Sequence, residues 1–382
     1  MACVLLRFTR WLSLTKMKFK GEVSGTMLPA GALPEEKTKV ATRNLLQMPR
    51  KIIFALLVAA QSALGADQTD PLSVSIVPLA ETPGESVELP FPAPGTPAAV
   101  APSLSFAEPD SAVAARQRDL KLRSAAALVL ELGEGQLLYA KNTDAVMPIA
   151  SITKLMTAMV VLDSGLPLDE LITIQPADVD TLKGTRSRLK VGMTLSRHEL
   201  LKLALMASEN RAAAALARTS PGGLQAFVPA MNQKARDLGM HDTRFLDATG
   251  LNPRNVSTAQ DLAIMVNAGY QYPLIREFTT SDSHRIALSG RRYQRVVAFR
   301  NSNGLVRSHQ WDIGLSKTGY ISEAGRCLVM QATIAAKPVI IVLLDSWGKL
   351  SRVGDANRIK RWLEGLSSPT TPAVHTHKPR IW

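Results

Sequence analysis

Strand-length apolar runs stand at both ends of one stretch of this chain, with helical periodicity between them, and that order leaves few architectures open. Residues 125–132 and 136–141 are apolar runs around Gly133-Glu134-Gly135, the pattern of a hairpin. Residues 315–320, 327–334 and 338–344 read as three late strands. The middle is helical. From Ser151 the apolar positions Ile152, Leu155, Met156, Met159 and Val160 follow a 3.6 period, and Gly165 marks the stop. Ser196 with Glu199 three residues on is a capping-box pattern opening a helix to Met206. An Ala-rich helix follows over about 209–217, then one with Leu224, Phe227, Val228, Met231 and Leu238 on one face and Gly239 after it. Thr258 and Asp261 open another, and 352–363 closes the stretch with a last helix. The economical arrangement is an α+β domain over residues 112–366: one sheet assembled from both ends, helices packed on it, and a helical insertion.

The flanks read differently. At Met48 the sequence runs Met-Pro-Arg-Lys into nine apolar residues, 52–60, and then Ala63-Leu64-Gly65-Ala66. A basic start, a short apolar run and small residues make a secretory signal peptide, 48–66. The apolar run is too short to span a bilayer, which needs about 20 residues. No Cys follows it, which excludes lipid anchoring at a new N-terminus. A signal peptide belongs at the start of a nascent chain, so 1–47 reads as an over-extended N-terminus. Residues 67–111 are expected to be a disordered linker, with nine prolines and no periodicity, and 367–382 a similar tail. The expected compartment is the periplasm, with no stable membrane anchor.

Charge excludes less than it first suggests. The net +13 includes eight Lys/Arg against three acids in 1–47, plus Arg50 and Lys51, which leaves the rest only mildly basic. Aromatic content is 5%, and no basic run alternates with aromatics, so a nucleic-acid groove is not indicated. A mildly basic surface suits an anionic envelope polymer. Of the two cysteines, Cys3 lies in the leader and Cys327 in a strand, so no internal disulfide is expected. The histidines lack metal-ligand spacing: His198-Glu199 has no second His, and His375 and His377 sit in the tail. Neither metal nor cofactor is expected.

Three motifs carry the chemistry. Ser151-Ile152-Thr153-Lys154 is Ser-x-x-Lys at a helix start, where positions i and i+3 lie on one face and the amine can reach the hydroxyl. A serine hydroxyl is a weak nucleophile and needs such a base. The spacing alone is not specific, since Ser13-Leu14-Thr15-Lys16 repeats it in the leader. Two further motifs distinguish Ser151: Ser208-Glu209-Asn210 between two helices, then Lys317-Thr318-Gly319 on a late strand. That ordered set is specific.

The set resembles the active-site serine penicillin-binding proteins and β-lactamases. It is most similar to D-alanyl-D-alanine endopeptidases of the penicillin-binding protein 7 type. The stretches PIASITKLMTAMVVLD (148–163), LLKLALMASENRAAAALA (200–217), TGLNPRNVSTAQDL (249–262) and SKTGY (316–320) carry the resemblance, which covers about 120–365. It implies a β-lactamase/transpeptidase-like fold, an antiparallel sheet flanked by helices with a helical subdomain. It also implies an acyl-enzyme mechanism on peptidoglycan stem peptides. Ser151 would attack a D-alanyl carbonyl, and neutral Lys154 would take its proton. Ser208 would relay a proton to the leaving amine, and Asn210 would hold the substrate amide. Lys317 and Thr318 would hold an anionic group, Gly319 would leave room for substrate, and the backbone N–H groups of Ser151 and Tyr320 would form the oxyanion hole. β-Lactams would be covalent inhibitors.

Simpler structural roles remain open for several polar residues. Glu209 is given no role in the chemistry, Thr258 and Asp261 read as a capping pair, and Arg300, Asn301 and Asn303 read more readily as strand-end polar residues than as cleft lining. Among related functions, a class A β-lactamase needs Glu-x-x-Leu-Asn for deacylation, and here Ala248 stands at the Glu position before Leu251-Asn252. A D,D-carboxypeptidase trimming pentapeptides is the main alternative. A non-catalytic penicillin sensor is a weaker one.

Overall fold

The computed structural model describes residues 120–133, 135–290 and 293–367, together with 111–117, 104, 106 and the pair Ile76–Val77. The proposed leader, the signal segment, most of the proline-rich stretch and the tail lie outside the described residues.

The sheet has five antiparallel strands: β1 (Ser124–Glu131), β2 (Leu137–Lys141), β5 (Asp312–Ile321), β6 (Gly325–Ile334) and β7 (Lys337–Ser346), in the order β5-β6-β7-β1-β2. The first strand in sequence is therefore internal, and its Leu128 is registered on Val342 of β7 and Ala140 of β2. Strand alternation sends successive residues to opposite faces, and both faces are dry. Leu128 and Leu130 of β1, Val329 of β6 and Val342 of β7 join the core under the helices. Ala127, Val129, Leu328, Ile341 and Leu343 face the other way, onto Ala356, Ile359 and Leu363 of the last helix, α7 (Ser351–Ser367). That helix is pinned by buried Asp355, which accepts the Ser124 N–H at 2.8 Å, the Ser124 hydroxyl at 2.6 Å and the Arg123 N–H at 3.1 Å, and pairs with Arg358.

The helical side begins with a 3-10 turn (Ala150–Thr153) that runs into α1 (Lys154–Asp163). Then come α2 (Arg197–Met206), α3 (Asn210–Arg218), α4 (Gly223–Asp237), α5 (Ala259–Tyr270) and α6 (Pro273–Thr280). The capping box at Ser196 is present: its hydroxyl accepts the Glu199 N–H at 3.1 Å and the Glu199 carboxylate accepts the Ser196 N–H at 3.1 Å. Thr258 caps α5 by accepting the Asp261 N–H at 3.1 Å, but the Asp261 carboxylate turns away to the Asp242 N–H and the Thr243 hydroxyl. Reciprocal capping is therefore half realised there.

Two features go beyond the sequence reading. Residues Ser283–Gly290 (β3) and Tyr293–Arg300 (β4) form a separate hairpin. Its alternation is visible only at Ile286 and at Val297 and Phe299, amid His and Arg. Within the stretch read as linker, Ile76–Val77 pairs antiparallel with β3, and Leu104 and Phe106 pack against the main core. Contacts of one or two residues carry no periodicity, so composition alone does not report them.

Candidate active site

Ser151 sits in the 3-10 turn, not in the α-helix proper, and Lys154 is the first residue of α1. The turn packs directly on β5. One turn of chain separates the two residues, and Lys154 Nζ lies 2.8 Å from Ser151 Oγ. The same Nζ lies 2.7 Å from Asn210 Oδ1 and 2.6 Å from the Thr249 carbonyl oxygen. Three acceptors satisfy all three hydrogens of an ammonium. A neutral amine keeps two hydrogens for Asn210 and Thr249 and turns its lone pair to the serine hydroxyl. Those two acceptors thus aim the lone pair at Ser151.

Electrostatics favours that neutral form. Lys154 is completely buried, and loss of hydration lowers its pKa to about 7, against the opposing pull of the Asp247 and Glu209 carboxylates. Lys317 is also buried, and desolvation, then the charges of Lys154 and Arg352, push its pKa well below the ordinary lysine value. Its Nζ donates to Ser208 Oγ at 2.9 Å and to the Thr318 carbonyl oxygen at 2.9 Å. The structure thus brings Ser151, Lys154, Ser208, Asn210, Lys317, Thr318 and Gly319 to one place, drawn from a turn, two helix ends and a strand. Ser208, between α2 and α3, has φ +61°, and Ala150, before the nucleophile, has φ +48°. Left-handed backbone at a residue with a side chain costs about 1–2 kcal/mol each and is characteristic of functional sites.

Gly319 departs from expectation. A Cβ there would lie 2.8 Å from the Ile149 carbonyl oxygen and 3.2 Å from the Ser151 nitrogen. The space it leaves is filled by the nucleophile's own backbone, so its absent side chain lets β5 close onto Ser151. Arg352 holds the strand from the far side, donating to the Gly319 carbonyl at 2.9 Å and the Cys327 carbonyl at 3.1 Å. Among the described residues β5 is an edge strand of its sheet, so one of its sides has no ladder partner, the arrangement by which an extended peptide can add to a sheet.

The motif reading missed the segment that completes the site. Asp247 Oδ1 accepts the N–H groups of Thr249 (2.7 Å) and Gly250 (2.5 Å), and Oδ2 accepts that of Asn252 (2.7 Å). Asn255 ties this turn to the nucleophile's turn, donating to the Asp247 carbonyl (2.9 Å) and Thr153 Oγ1 (3.1 Å). Gly250, φ +79°, lies so close that a Cβ would sit 2.0 Å from the Ala150 carbonyl oxygen. Thr185 was missed too: Asn210 donates to its hydroxyl at 3.0 Å, and that hydroxyl donates to Asp180. So was Ser302, whose hydroxyl accepts from Thr318 at 2.8 Å. The polar residues given structural roles keep them. The Glu209 carboxylate accepts the Ser187 hydroxyl at 2.6 Å. Buried Asn301 donates to the Thr279 and Ser281 carbonyls, and buried Asn303 accepts from the Leu305 N–H.

The family pattern described as D-alanyl-D-alanine carboxypeptidase matches residues 111–348. This chain belongs to that family of D-alanyl-D-alanine peptidases. Within it, the chain is 48% identical over 275 residues to the D-alanyl-D-alanine endopeptidase of Pseudomonas aeruginosa, covering 72% of this chain and 87% of that one. It is 45% identical to the D-alanyl-D-alanine endopeptidase of Escherichia coli, covering 68% and 83%. Among solved structures, the Streptomyces DD-transpeptidase superposes with a TM-score of 0.59 at 30% identity, covering 64% of this chain and 98% of that one. A Listeria monocytogenes penicillin-binding protein in its ampicillin-bound form superposes at 0.54, also at 30% identity, covering 64% and 98%. The expected α+β fold and the penicillin-binding serine peptidase resemblance are both borne out. The D-alanyl-D-alanine peptidase family's matched span includes the whole site around Ser151.

Proposed function

We propose that this serine-type D-Ala-D-Ala peptidase is an endopeptidase that opens D-alanyl–diaminopimelate cross-links of peptidoglycan through an acyl-enzyme on Ser151. The observation that carries the reading is the buried Lys154 amine, 2.8 Å from Ser151 Oγ with its pKa lowered to about 7. Neutral Lys154 takes the Ser151 proton as Oγ attacks the D-alanyl carbonyl carbon. The backbone N–H groups of Ser151 and Tyr320 receive the developing oxyanion. In this reading Ser208, bonded to Lys317, relays the proton from Lys154 to the departing amine, the C–N bond breaks, and Lys154 is neutral again. Asn210 and Thr318 hold the substrate amide and anionic group. In a D-alanyl–diaminopimelate cross-link the carbon bearing the leaving amine also carries a free carboxylate. Lys317 and Thr318 are suited to that carboxylate. Water then attacks the ester carbonyl as Lys154 accepts its proton, the bond from the acyl carbon to Ser151 Oγ breaks, and Lys154 returns the proton to Oγ as the acid is released.

The Pseudomonas and Escherichia relatives support cross-link cleavage, since both are named endopeptidases. D-alanyl-D-alanine carboxypeptidases also match, one from Streptomyces at 33% identity, so trimming of pentapeptides is the second reading. Ala248 in place of a glutamate argues against rapid β-lactam hydrolysis. We place the enzyme in the periplasm, delivered by the segment 48–66. No helix among the described residues is long and apolar enough to cross a membrane.

Purified enzyme would be incubated separately with cross-linked muropeptide dimers and with monomeric pentapeptides. Conversion of dimers to monomers is expected; loss of terminal D-Ala alone would overturn the endopeptidase choice. Ser151→Ala should abolish covalent labelling by a fluorescent penicillin, and a mutant that still labels would move the nucleophile elsewhere.

A further inference from the structure

The line of hydrogen bonds that ends on Ser151 does not begin at Asn210. It begins at Asp180, in the segment before α2. Asp180 Oδ1 accepts the Leu182 N–H at 2.8 Å and the Lys183 N–H at 2.9 Å. Its Oδ2 accepts the Thr185 N–H at 2.8 Å and the Thr185 hydroxyl at 2.7 Å. Thr185 Oγ1 then accepts an Asn210 amide N–H at 3.0 Å, and Asn210 Oδ1 accepts from Lys154 Nζ at 2.7 Å. Lys154 Nζ lies 2.8 Å from Ser151 Oγ.

The direction of every bond in this line follows from its first member. An ionised carboxylate only accepts. Partial burial opposes ionisation of Asp180, but the Lys183 N–H, the hydroxyl and N–H of Thr185 and the Leu182 N–H outweigh it and hold the carboxyl below the usual carboxylate range. The one hydrogen of the Thr185 hydroxyl is therefore committed to Asp180, and only lone pairs face Asn210. The Asn210 amide must then turn its NH2 to Thr185 and its oxygen to Lys154. Turned over, it would point an N–H at the Lys154 nitrogen and compete with the Ser151 hydroxyl for the lone pair.

We propose that Asp180 and Thr185 are positioning residues for the general base: they fix which way round the Asn210 amide sits, and through it the direction of the Lys154 lone pair. This rests on the reading of Lys154 as the base for Ser151. Both residues act through Asn210.

The test is the second-order rate of fluorescent penicillin acylation of the whole enzyme, measured from pH 5 to 9. Thr185→Val keeps the side chain's shape and removes the acceptor. Its plateau rate is expected to fall about tenfold, the worth of one hydrogen bond. Its midpoint should move about one pH unit below that of wild type, because the Lys154 ammonium loses an acceptor. Thr185→Ser should restore both. Asp180→Asn asks about direction alone. Its NH2 is best accommodated in place of Oδ2, where it meets one N–H and one hydroxyl that can rotate; in place of Oδ1 it meets two N–H groups. The Thr185 hydrogen then swings to Asn210 and the amide turns over, so Asp180→Asn should show the same downward shift of the midpoint. Glu323→Gln is the control. Glu323 holds Lys183, two residues from Thr185, at 2.5 Å, so the substitution frees the same loop from another tether and leaves the line intact. It should keep the wild-type midpoint and a rate within twofold. The other charges that bear on Lys154, those of Asp247, Glu209 and Lys317, are unaltered in all four variants. An unmoved midpoint in Thr185→Val or Asp180→Asn, a shift that persists in Thr185→Ser, or an equal shift in Glu323→Gln would each overturn the assignment while leaving Lys154 as the base. A wild-type rate flat across the range would remove Lys154 as the base, and the assignment with it.

Discussion

Replacing Gly250 by alanine tests whether the turn at 247–250 fixes the nucleophile. Gly250 has φ +79°, and an added Cβ would lie 2.0 Å from the Ala150 carbonyl oxygen, 2.4 Å from its carbon and 2.9 Å from the Ser151 nitrogen. All three are backbone atoms and cannot swing aside. Restoring ordinary contact, about 3.4 Å or more, needs a shift of over 1 Å between the two turns. The shift separates the Ser151 turn from the Thr249 carbonyl that helps aim the Lys154 amine, while Asn210 on α3 holds that amine independently. A displacement of that size at a reacting group costs about 100-fold in rate. The matched control is Gly239→Ala: φ there is +81°, but nothing lies within 4 Å of the added Cβ. It bears only the conformational cost, about 1 kcal/mol. The assay is the second-order rate of fluorescent penicillin acylation, with thermal melting measured in parallel. Gly250→Ala should lose about two orders of magnitude in acylation, and Gly239→Ala should keep its rate while melting a few degrees lower. Equal acylation rates in the two variants would refute the claim that this turn positions Ser151.

Acylation should rise with pH through about 7 as Lys154 loses its proton and then level off; a rate flat from pH 5 to 9 would exclude Lys154 as the base. Because the folded-state pKa of Lys154 is below its unfolded value of 10.5, the unfolded chain binds more protons between about 7 and 10.5. Stability should therefore rise with pH across that window by up to about 1.4 kcal/mol per unit for this group, and Lys154→Met should remove that part of the slope in denaturant titrations. Glu209→Gln removes a carboxylate that raises the Lys154 pKa, so the midpoint of the acylation profile should move to lower pH. Asp355→Ala should destabilise the fold by about 3 kcal/mol in chemical denaturation, by orphaning the buried N–H and hydroxyl of Ser124, while penicillin acylation at low temperature stays near wild type.

Much of this was legible in the sequence because each local pattern had a single structural outcome. Ile152, Leu155, Met156 and Met159 were legible as core, although their helix is buried almost all round, with Thr157, Ala158 and Val161 inside as well, and the apolar runs of β6 and β7 were long enough to be central strands. Ser-x-x-Lys was legible because one helical turn brings the two side chains together and because Ser208-Glu209-Asn210 and Lys317-Thr318-Gly319 set it apart from its repeat at Ser13. The support of the site was not. Thr249 acts through its backbone carbonyl, which every residue possesses, and Asp247 and Asn255 look like ordinary turn residues until their hydrogen bonds are traced. Gly319 was legible as a position requiring glycine, but the clash that requires it comes from Ile149 and Ser151, some 170 residues earlier in the chain. The β3–β4 hairpin was missed because its inward residues are separated by Arg and His.

β1 sits between β7 and β2, although β7 lies at the far end of the domain. The centre of the sheet therefore waits for the last strands to be synthesised. Ser151 and Lys154 are made early, but β5, against which the serine turn packs, arrives late. An unfinished chain holds the nucleophile and its base without the surface that sets their geometry. Such a chain has no stable core to lock it prematurely. A wall-cutting enzyme built this way stays inert until it is complete.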